Sequence, residues 1–599
     1  MTTYSAPTRD QMFLMFDVLG IDKHANIPGF DDMTPELASA ILDEAGKLAS
    51  EVLHPLNQSG DEEGCTWTDG VVTTPTGFKE AYDLYCQSGW QSLTANPDFG
   101  GQGLPQTLGL AVSEMMIASN WGFAMYPGLT KGAAEAIEAH ATEELKNTYL
   151  PKMMTGEWSG TMNLTEPHCG TDLGLMRTRA EPQADGTYRV TGTKIFISAG
   201  EHDLSDNIIH LVLAKIPGGP EGSKGISLFI VPKFILDENG NPGERNGVSC
   251  GSIEKKMGIH SNATCVMNYD EAAGYLVGEE HKGLMAMFTM MNEARLGVGM
   301  QGLGVAEVAY QNAAAYTNER LQGRSITGKK NPEGPADPII VHPDVRRMMM
   351  TSRAFTEGAR GLALWMGLQV DMLQRHPDEE VRAQADDLVG LMTPVIKAYF
   401  TDMGVEVAYL SQQCYGGHGY IREHGMEQFA RDARIAPIYE GTNGIQAMDL
   451  VGRKLGAKNG AAVQAFMALV QESVAANGDH DTLAPLAKRL GDALGHLQQG
   501  TMWLLQNGMA NPDNAGAAAV DYLRIMALVS MGYVWLMQAR TAADKLAEGT
   551  ENEAFMKNKL ITARFFFERM LPDTIAHLTK LEAGSESMMD LDADAFLAS

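Results

Sequence analysis

The stretch Ile208-Ile209-His210-Leu211-Val212-Leu213 has the composition of a buried β-strand, because β-branched and aliphatic side chains fill most of it. Two similar runs, Tyr188 to Gly192 and Ile226 to Val231, lie on either side of it along the chain. Glycine, proline and asparagine turns separate the runs, and their residues follow a period of two. We therefore predict a β block over residues 159–277.

Helical patterns occupy the chain on both sides of this β block. Near the N-terminus, Thr34-Pro35-Glu36 combines a capping residue with a first-turn proline, and apolar residues then recur at helical spacing. Helical spacing returns after Gly283, and Lys458-Asn459-Gly460 has the composition of a linker. This segregated order predicts an α+β fold rather than a doubly wound sheet. The predicted domains are residues 1–158 (helical), 159–277 (β), 278–457 (helical) and 461–599 (a helical extension).

The charge of the chain limits its partners. Its 599 residues carry a formal net charge of −29. Nucleic acids and anionic membranes are bound through basic patches that displace counterions, so this balance disfavours both as partners. Solubility explains the acidity in general terms. A phosphate-bearing ligand must therefore bind at a site that is locally basic although the chain as a whole is acidic.

Cysteine usage and apolar segments bear on the compartment. The six cysteines form no C-x-x-C pair, which indicates neither a disulfide framework nor a zinc site. The segment up to Asp17 lacks the basic start of a secretory signal, and the apolar stretch Ile525 to Ala539 is shorter than a membrane span. We expect a soluble cytoplasmic protein that binds no metal.

A glycine fingerprint occurs at Gly297-Val298-Gly299-Met300-Gln301-Gly302. A dinucleotide site of the G-x-G-x-x-G type requires a strand before the glycines, whereas this fingerprint lies inside a predicted helix from Asn292 to Tyr316. We therefore interpret these small residues as a surface for close helix packing.

The stretch Ile438-Tyr439-Glu440-Gly441-Thr442-Asn443-Gly444-Ile445-Gln446 places one carboxylate at a glycine-marked turn before a predicted helix. Gly441 permits a sharp turn beside Glu440, and Thr442 or Asn443 is a candidate cap for the helix. This arrangement suits a catalytic base. The alternative is an ordinary helix start with an exposed glutamate.

Two further segments suit a flat heteroaromatic ligand. Met162 to Asp172 is polar and rich in turns, and Lys194 to Gly200 places Phe196 and Ser198 two residues apart, hence on the same face of a strand. An aromatic face and hydroxyl donors at the ring edge are what such a ligand needs. Each segment alone is equally typical of a turn or a strand end.

Five segments resemble the acyl-CoA dehydrogenase flavoproteins in order and spacing. They are Thr165-Glu166-Pro167, Lys194 to Gly200, Gln413-Cys414-Tyr415-Gly416-Gly417-His418-Gly419-Tyr420, Arg431-Asp432-Ala433-Arg434-Ile435 and Tyr439-Glu440-Gly441-Thr442. The resemblance covers about residues 35–455, and the extension is similar to that of a longer bacterial subgroup. It implies an N-terminal helical domain, a central β-barrel or sandwich, a helical bundle and an extra C-terminal helical domain.

The resemblance also implies an activity. The chain is expected to use FAD to oxidise an acyl-CoA to a trans-2-enoyl-CoA, and to pass the electrons to an electron-transfer flavoprotein as a homodimer. The narrower expectation is conversion of 3-methylmercaptopropionyl-CoA to methylthioacryloyl-CoA. The alternatives are a general short- or medium-chain acyl-CoA dehydrogenase, an acyl-CoA oxidase, and a catalytically silent acyl-CoA-binding protein.

The family's roles carry over to individual residues. Glu440 is the implied catalytic base, and its own N–H helps to polarise the thioester carbonyl. The implied cofactor contacts are Met162, Leu164, Thr165, Phe196, Ser198, Arg320, Gln322, Gln413, Gly416, Gly417, Thr442 and Gly444. The implied substrate contacts are Thr171, Arg295 and Gly441.

Four positions depart from the family pattern or fit a purely structural role. Gln322 stands where the family usually has phenylalanine. Arg295 is alternatively a helix-surface partner of Glu293 or Asp402. His168 and His418 lie in glycine-rich turns, where a hydrogen-bonding role accounts for them without any part in acid–base chemistry.

Overall fold

The structure is a computed structural model that describes residues 2–31 and 33–597, apart from the side chains of Asn292 and Glu293. The chain divides into two compact units. The first unit comprises Met1–Asp43, Pro105–Glu114 and Val298–Ser599, and the second comprises Glu44–Leu104 and Met115–Gly297. Helices and a central sheet are segregated along the chain, which confirms the predicted α+β class.

The helices that precede the main sheet are α1 (Thr8–Met12), α2 (Pro35–Lys47), α3 (Pro55–Glu63), α4 (Phe78–Gln87), α5 (Gln106–Ser119), α6 (Trp121–His140) and α7 (Glu143–Thr155). The predicted cap is present at α2, where the Leu37 N–H donates to the Thr34 hydroxyl at 3.2 Å. A small hairpin that the helical prediction missed, β1 (Thr66–Thr68) and β2 (Val71–Thr73), lies among these helices. Asp69 and Gly70 form its turn with φ of 50° and 86°, as a two-residue hairpin loop requires.

The remaining strands are β3 (Trp158–Asn163), β4 (Arg179–Pro182), β5 (Tyr188–Ser198), β6 (Asn207–Lys215), β7 (Ile226–Pro232), β8 (Phe234–Leu236), β9 (Pro242–Arg245), β10 (Val248–Ile253) and β11 (Thr264–Val277). Strands β5, β4, β6, β7 and β11 pair in a closed ring, so the central block is a barrel. The three runs predicted as strands lie in β5, β6 and β7. Strand β6 is buried along nearly all of its length, which explains its continuous apolar sequence.

After the barrel come α8 (Gly283–Glu319), α9 (Pro343–Arg375), α10 (Glu379–Cys414), α11 (Met426–Ala433) and α12 (Asn443–Asp449). The glycine fingerprint lies inside α8. A Cβ on Gly299 would lie 2.7 Å from Ile396, and one on Gly302 would lie 2.3 Å from the Phe400 carbonyl, both in α10. Gly299 and Gly302 therefore allow two helices to pack closely, as predicted, and the fingerprint does not form a dinucleotide turn.

The extension consists of α13 (Ala461–Asn477), α14 (Ala484–Trp503), α15 (Pro512–Glu548), α16 (Glu553–Arg569), α17 (Asp573–Glu582) and α18 (Glu586–Met589). The predicted linker is a kink, because Lys458, Asn459 and Gly460 all have positive φ. Pro512 starts α15, since a first-turn proline is compatible with a helix. The Trp535 side chain is fully buried and donates to the Ala354 carbonyl of α9 at 3.1 Å, so the extension packs on the bundle.

Among the described residues, α15 is the one helix whose length and composition would allow it to cross a membrane. The stretch Ile525 to Ala539 lies inside this longer helix. Of its most apolar window, 78% is buried within the protein, which is also what a core helix shows.

A buried ionic cluster in the first unit was not predicted. Arg360 is 2% exposed and pairs with Asp10, Glu114 and Glu307 at 2.6 to 2.8 Å. Lys559 of α16 pairs with the same Asp10 at 2.5 Å. The cluster joins the N-terminal helix, the bundle and the extension within this unit, and pairing offsets the cost of burying its charges.

Candidate active site

The Glu440 turn lies in the first unit, between α11 and α12. Glu440 has φ of 56° and Gly441 has φ of 81°, so two consecutive residues adopt left-handed backbone conformations. Glycine does this without strain, whereas for glutamate the conformation costs roughly 1–2 kcal/mol. Surrounding contacts must therefore hold the turn.

Two side chains hold the carbonyl groups of this turn. Gln446, which is fully buried, donates from Nε2 to the carbonyls of Glu440 at 3.3 Å and Gly441 at 3.2 Å. Lys397, also buried, donates from Nζ to the Gly441 carbonyl at 2.8 Å. A Cβ on Gly441 would lie 2.5 Å from the Gln446 amide nitrogen, so the turn and its support are tightly fitted.

Asn443 is tied to α10, whereas the sequence indicated it or Thr442 as a cap. Its Nδ2 donates to Asp402 Oδ1 at 2.7 Å and to Thr401 Oγ1 at 3.0 Å, and its Oδ1 accepts from Lys397 Nζ at 2.9 Å. Neither predicted residue makes a side-chain cap at the start of α12. The asparagine is used for tertiary contacts because Lys397 and Asp402 face it from the neighbouring helix.

The predicted cofactor edge of the second unit lies where β3 ends and β5 runs beside it. Lys194 Nζ donates to the Leu164 carbonyl at 2.9 Å, and the Ile195 N–H donates to the Thr165 carbonyl at 2.9 Å. These bonds fix the Met162 to Thr165 segment against β5. The side chains of Met162, Leu164 and Thr165 are all partly exposed.

Phe196 lies at a bulge in β5. Its φ is 59°, the register with β11 shifts beside it, and 59% of the side chain is exposed. The period-two argument that placed it on one face with Ser198 therefore does not apply strictly, although both side chains are more exposed than Ile197 between them. A bulge that turns an aromatic ring toward solvent is compatible with stacking on a ligand.

Glu166 anchors the same loop by a buried ion pair. Its side chain is 3% exposed and accepts from Lys194 Nζ at 2.9 Å, from the Thr178 hydroxyl at 2.6 Å and from the Arg177 N–H at 2.7 Å. Burial alone would raise the pKa of Glu166, but the Lys194 ammonium and these hydrogen bonds lower that pKa to about 2. Both residues lie in segments that the sequence singled out, but no local pattern indicates that they pair.

His168, Glu166 and Cys169 place possible ligand atoms within 4.8 Å of one another. The Glu166 oxygens already accept from Lys194 and Thr178, and His168 Nε2 lies 2.9 Å from the Leu175 carbonyl. These atoms serve hydrogen bonds within the loop, so the cluster is a poor metal site.

The predicted adenine segment spans the last turn of α10, which contains Gln413, and the residues that follow it. Gln413, Gly416 and Gly417 are exposed, and a Cβ on either glycine would meet no atom of the described chain within 4 Å. His418 Nδ1 lies 2.8 Å from the Tyr316 hydroxyl, which agrees with a hydrogen-bonding role.

Arg320 and Gln322 begin the loop after α8. Both are exposed, and Arg320 makes no side-chain hydrogen bond or ion pair with the residues that the structure describes. The loop is organised by the buried Asp337, whose carboxylate accepts the N–H groups of Ser325, Lys330 and Asn331. These bonds, with that of Ser325 the largest effect, lower the pKa of Asp337 to about 2.

The predicted substrate contacts differ in exposure. Thr171 is exposed, whereas Arg295 is 6% exposed, which disagrees with a position on the helix surface; the alternative ion pair of Arg295 stays a prediction. The side chain of Glu293, one of the two partners in that alternative, lies outside the described residues. Asp402, the other, is paired with Arg524.

The predicted site residues are divided between the units. The first unit contains Arg320, Gln322, Gln413, Gly416, Gly417, Glu440, Gly441, Thr442 and Gly444, and the second contains Met162, Leu164, Thr165, Thr171, Phe196, Ser198 and Arg295. Their chemistry fits FAD. Phe196 offers an exposed ring, Thr165 and Ser198 offer hydroxyl donors, Arg320 offers a cation for phosphate, and Gly416 and Gly417 leave open space.

Family models match nearly the whole chain. They are described as the acyl-CoA dehydrogenase N-terminal domain over residues 35–157, middle domain over 161–272 and C-terminal domain over 281–455. A further model, described as acetyl-CoA dehydrogenase C-terminal like, matches residues 461–592.

Full-length relatives are similar to this chain. The 3-methylmercaptopropionyl-CoA dehydrogenase of Ruegeria pomeroyi is 41% identical over 98% of this chain and 99% of its own length. The broad-specificity linear acyl-CoA dehydrogenase FadE5 of Mycobacterium tuberculosis is 34% identical over 100% of both chains.

The fold has a similar solved structure, the acyl-CoA dehydrogenase from Bacillus anthracis complexed with FAD. It has a TM-score of 0.75 at 22% identity and covers 94% of this chain and 90% of its own. Taken with the family models and the full-length relatives, these observations show that the chain belongs to the acyl-CoA dehydrogenase family of FAD-dependent oxidoreductases.

Proposed function

We propose that Glu440 is the base of this acyl-CoA dehydrogenase and that its substrate is 3-methylmercaptopropionyl-CoA. The observation that carries the first part is the φ of 56° at Glu440. Strained backbone of this kind persists only where neighbouring groups fix it, and it concentrates at functional sites. Gln446 and Lys397 fix it here through two carbonyl groups.

Glu440 removes the α-proton of the acyl thioester. That proton is weakly acidic, so its removal requires a base and a donor at the thioester carbonyl in the same place. The Glu440 N–H supplies the donor, which makes the fixed turn serve both needs. FAD, when bound, supplies the hydride acceptor for the β-carbon.

The cofactor contacts are part of the same proposal. Met162, Leu164 and Thr165 would hold one edge of the flavin, and Phe196 and Ser198 would pack against its ring. Arg320 would pair with the pyrophosphate, and Gln322 would be the weaker partner because an amide carries no charge. The remaining contacts are Gln413, Gly416 and Gly417 at the adenine and Thr442 and Gly444 at the start of α12.

Three finer points complete the proposal. The 41% identical relative named for 3-methylmercaptopropionyl-CoA supports that substrate, with Thr171, Arg295 and Gly441 as its contacts. An electron-transfer flavoprotein is the proposed acceptor. A homodimer is proposed because the family resemblance implies an arginine from a second subunit at the cofactor pyrophosphate, and Arg320 is exposed here.

The test is an anaerobic titration of the purified protein with 3-methylmercaptopropionyl-CoA, butyryl-CoA and longer acyl-CoAs. Loss of the flavin absorbance measures reduction of the flavin by each substrate. Glu440→Gln is expected to lower the rate of flavin reduction by roughly 10² to 10⁴-fold, since it removes the general base. Glu36→Gln, the same change at an exposed site in α2, is the matched control.

Each part has its own contradicting result. Flavin reduction by Glu440→Gln at the parental rate would reject the base. Equal rates of flavin reduction with 3-methylmercaptopropionyl-CoA and butyryl-CoA would reject the proposed substrate preference. Release of peroxide during turnover would favour an acyl-CoA oxidase, and a purified protein without flavin absorbance would favour a silent acyl-CoA-binding protein.

A further inference from the structure

We propose that Arg524, in helix α15 of the extension, is a positioning residue for the Glu440 turn and acts through Asp402 and Asn443. The inference rests on the proposed role of Glu440 as the base. It gives the extension a part in catalysis, because Arg524 lies within the segment, residues 461–592, that the additional C-terminal model matches.

The first link joins the extension to the bundle. Arg524 Nη2 lies 2.5 Å from Asp402 Oδ2 in α10, and the two side chains are 24% and 29% exposed. The guanidinium also lies over the ring of Tyr399, 5.6 Å from its centroid. Two interactions therefore fix the guanidinium, and a partly buried pair of this kind is screened less than a surface pair.

The second link joins the bundle to the turn. Asp402 uses its other oxygen, Oδ1, to accept from Asn443 Nδ2 at 2.7 Å. This bond fixes the orientation of the Asn443 amide, because the acidic partner requires the NH₂ side to face it. The amide oxygen then faces Lys397 Nζ at 2.9 Å.

The third link reaches the strained backbone. Lys397 shares its ammonium between Asn443 Oδ1 and the Gly441 carbonyl at 2.8 Å. If the amide of Asn443 reversed, its NH₂ group would face the ammonium and the lysine would be displaced from the carbonyl. Arg524, by holding Asp402, keeps that reversal unfavourable.

The packing of the helices agrees with this route. Helix α15 contacts both α10 and α12, so the extension lies against the elements that hold the turn as well as reaching them through Arg524. A displacement of a reacting group by about 1 Å costs on the order of 10²-fold in rate, so a weakened support has a measurable consequence without contacting the substrate.

The test compares Arg524→Met with Arg540→Met in the FAD-bound protein. Arg540 lies in the same helix and pairs with Asp544 at 2.8 Å, with both side chains more than 40% exposed, so it is a matched control remote from the proposed route. Arg524→Met is expected to lower the rate of flavin reduction about tenfold while the acyl-CoA dissociation constant changes less than about twofold. Arg524→Lys, which retains the charge, is expected to recover most of the rate.

Two further readouts separate positioning from general stability. Hydrogen exchange in the peptide that spans residues 435–449 is expected to rise in Arg524→Met and not in Arg540→Met. The double variant Arg524→Met/Asn443→Ala is expected to be no slower than Asn443→Ala, because both changes interrupt one route.

The outcomes distinguish this inference from the proposed function. A folded, FAD-bound Arg524→Met that reduces flavin at the parental rate overturns the inference, as does an equal loss in Arg540→Met or an additive loss in the double variant. If Arg524→Met does not fold, Asp402→Asn, which weakens the same ion pair from the other side, carries the same comparison. Parental activity in Glu440→Gln would instead reject the base itself, and the inference with it.

Discussion

Two glutamates, one in each unit, are held in opposite ways. The side chain of Glu166 in the second unit is buried and accepts hydrogen bonds from Lys194, Thr178 and the Arg177 backbone. Glu440 in the first unit is only partly buried, and Gln446 and Lys397 hold the backbone of its turn. The Glu166 oxygens serve the fold, whereas the strained backbone at Glu440 supports its proposed role as the base.

Glu440→Gly is expected to have the largest effect, and it tests both the proposed role of Glu440 and the strain of its backbone. It removes the base, so the rate of flavin reduction is expected to fall about 10⁴-fold, equivalent to about 5 kcal/mol. It also relieves the left-handed strain, so the free energy of unfolding is expected to rise by about 0.5 to 1 kcal/mol. Single-turnover absorbance and urea unfolding measure the two effects.

Glu440→Gln is the control for strain, because it removes the charge and keeps a side chain at the same φ. The glycine variant is expected to be more stable than the glutamine variant by about 0.5 to 1 kcal/mol. Equal stability of the glycine and glutamine variants would mean that the turn stores no strain, and the structural support for the base would be lost.

Lys194→Met tests the structural role of Glu166. It leaves the buried Glu166 carboxylate without its cation, which is expected to cost about 3 to 5 kcal/mol in the free energy of unfolding. The double variant Lys194→Met/Glu166→Gln is expected to recover part of that loss, since it removes the uncompensated charge. A loss below about 1 kcal/mol, of the size of a surface pair, would contradict the structural role.

The pH dependence of stability gives a graded form of the same test. The folded-state pKa of Glu166, about 2, lies below its ordinary value of 4.5, so its stabilisation is complete above about pH 4.5 and is lost as the pH falls. The parent is therefore expected to be about 3 kcal/mol more stable than Glu166→Gln at pH 7. This difference is expected to narrow between pH 5 and pH 3, and a constant difference would show that the carboxylate charge contributes nothing.

Local patterns predicted much of the fold. The strand β6 and the start of α2 follow from composition and capping, which depend on neighbours along the chain. The β1–β2 hairpin was missed although Asp69-Gly70 is a recognisable turn signal.

Contacts between distant residues were not predictable in the same way. Asparagine is a residue type that often caps a helix. The Asn443 amide instead donates to Asp402 and accepts from Lys397, because these tertiary partners outcompete a local hydrogen bond. The pair of Glu166 and Lys194 also joins residues 28 positions apart. The turn at Glu440 was predicted from its glycine, but its support was not.

The smallest expected effect is that of Gln446→Met on stability. The change removes the amide that donates to the Glu440 and Gly441 carbonyls, so the turn is expected to relax and flavin reduction to slow about tenfold. The free energy of unfolding is expected to change by less than about 1 kcal/mol, because both bonds are long and methionine has a similar volume. The Gln446 Oε1 atom is buried with no partner among the described residues, so removing it offsets part of the loss.

Gln499→Met is the matched control for that variant. Gln499 donates to Glu582 at 2.6 Å on the exposed surface of the extension, and its loss is expected to leave the rate of flavin reduction unchanged. If Gln446→Met kept the parental rate, the carbonyl contacts would not position Glu440. Glu166 and Glu440 would then differ only in burial, because catalysis would not depend on the contacts that hold the strained backbone at Glu440.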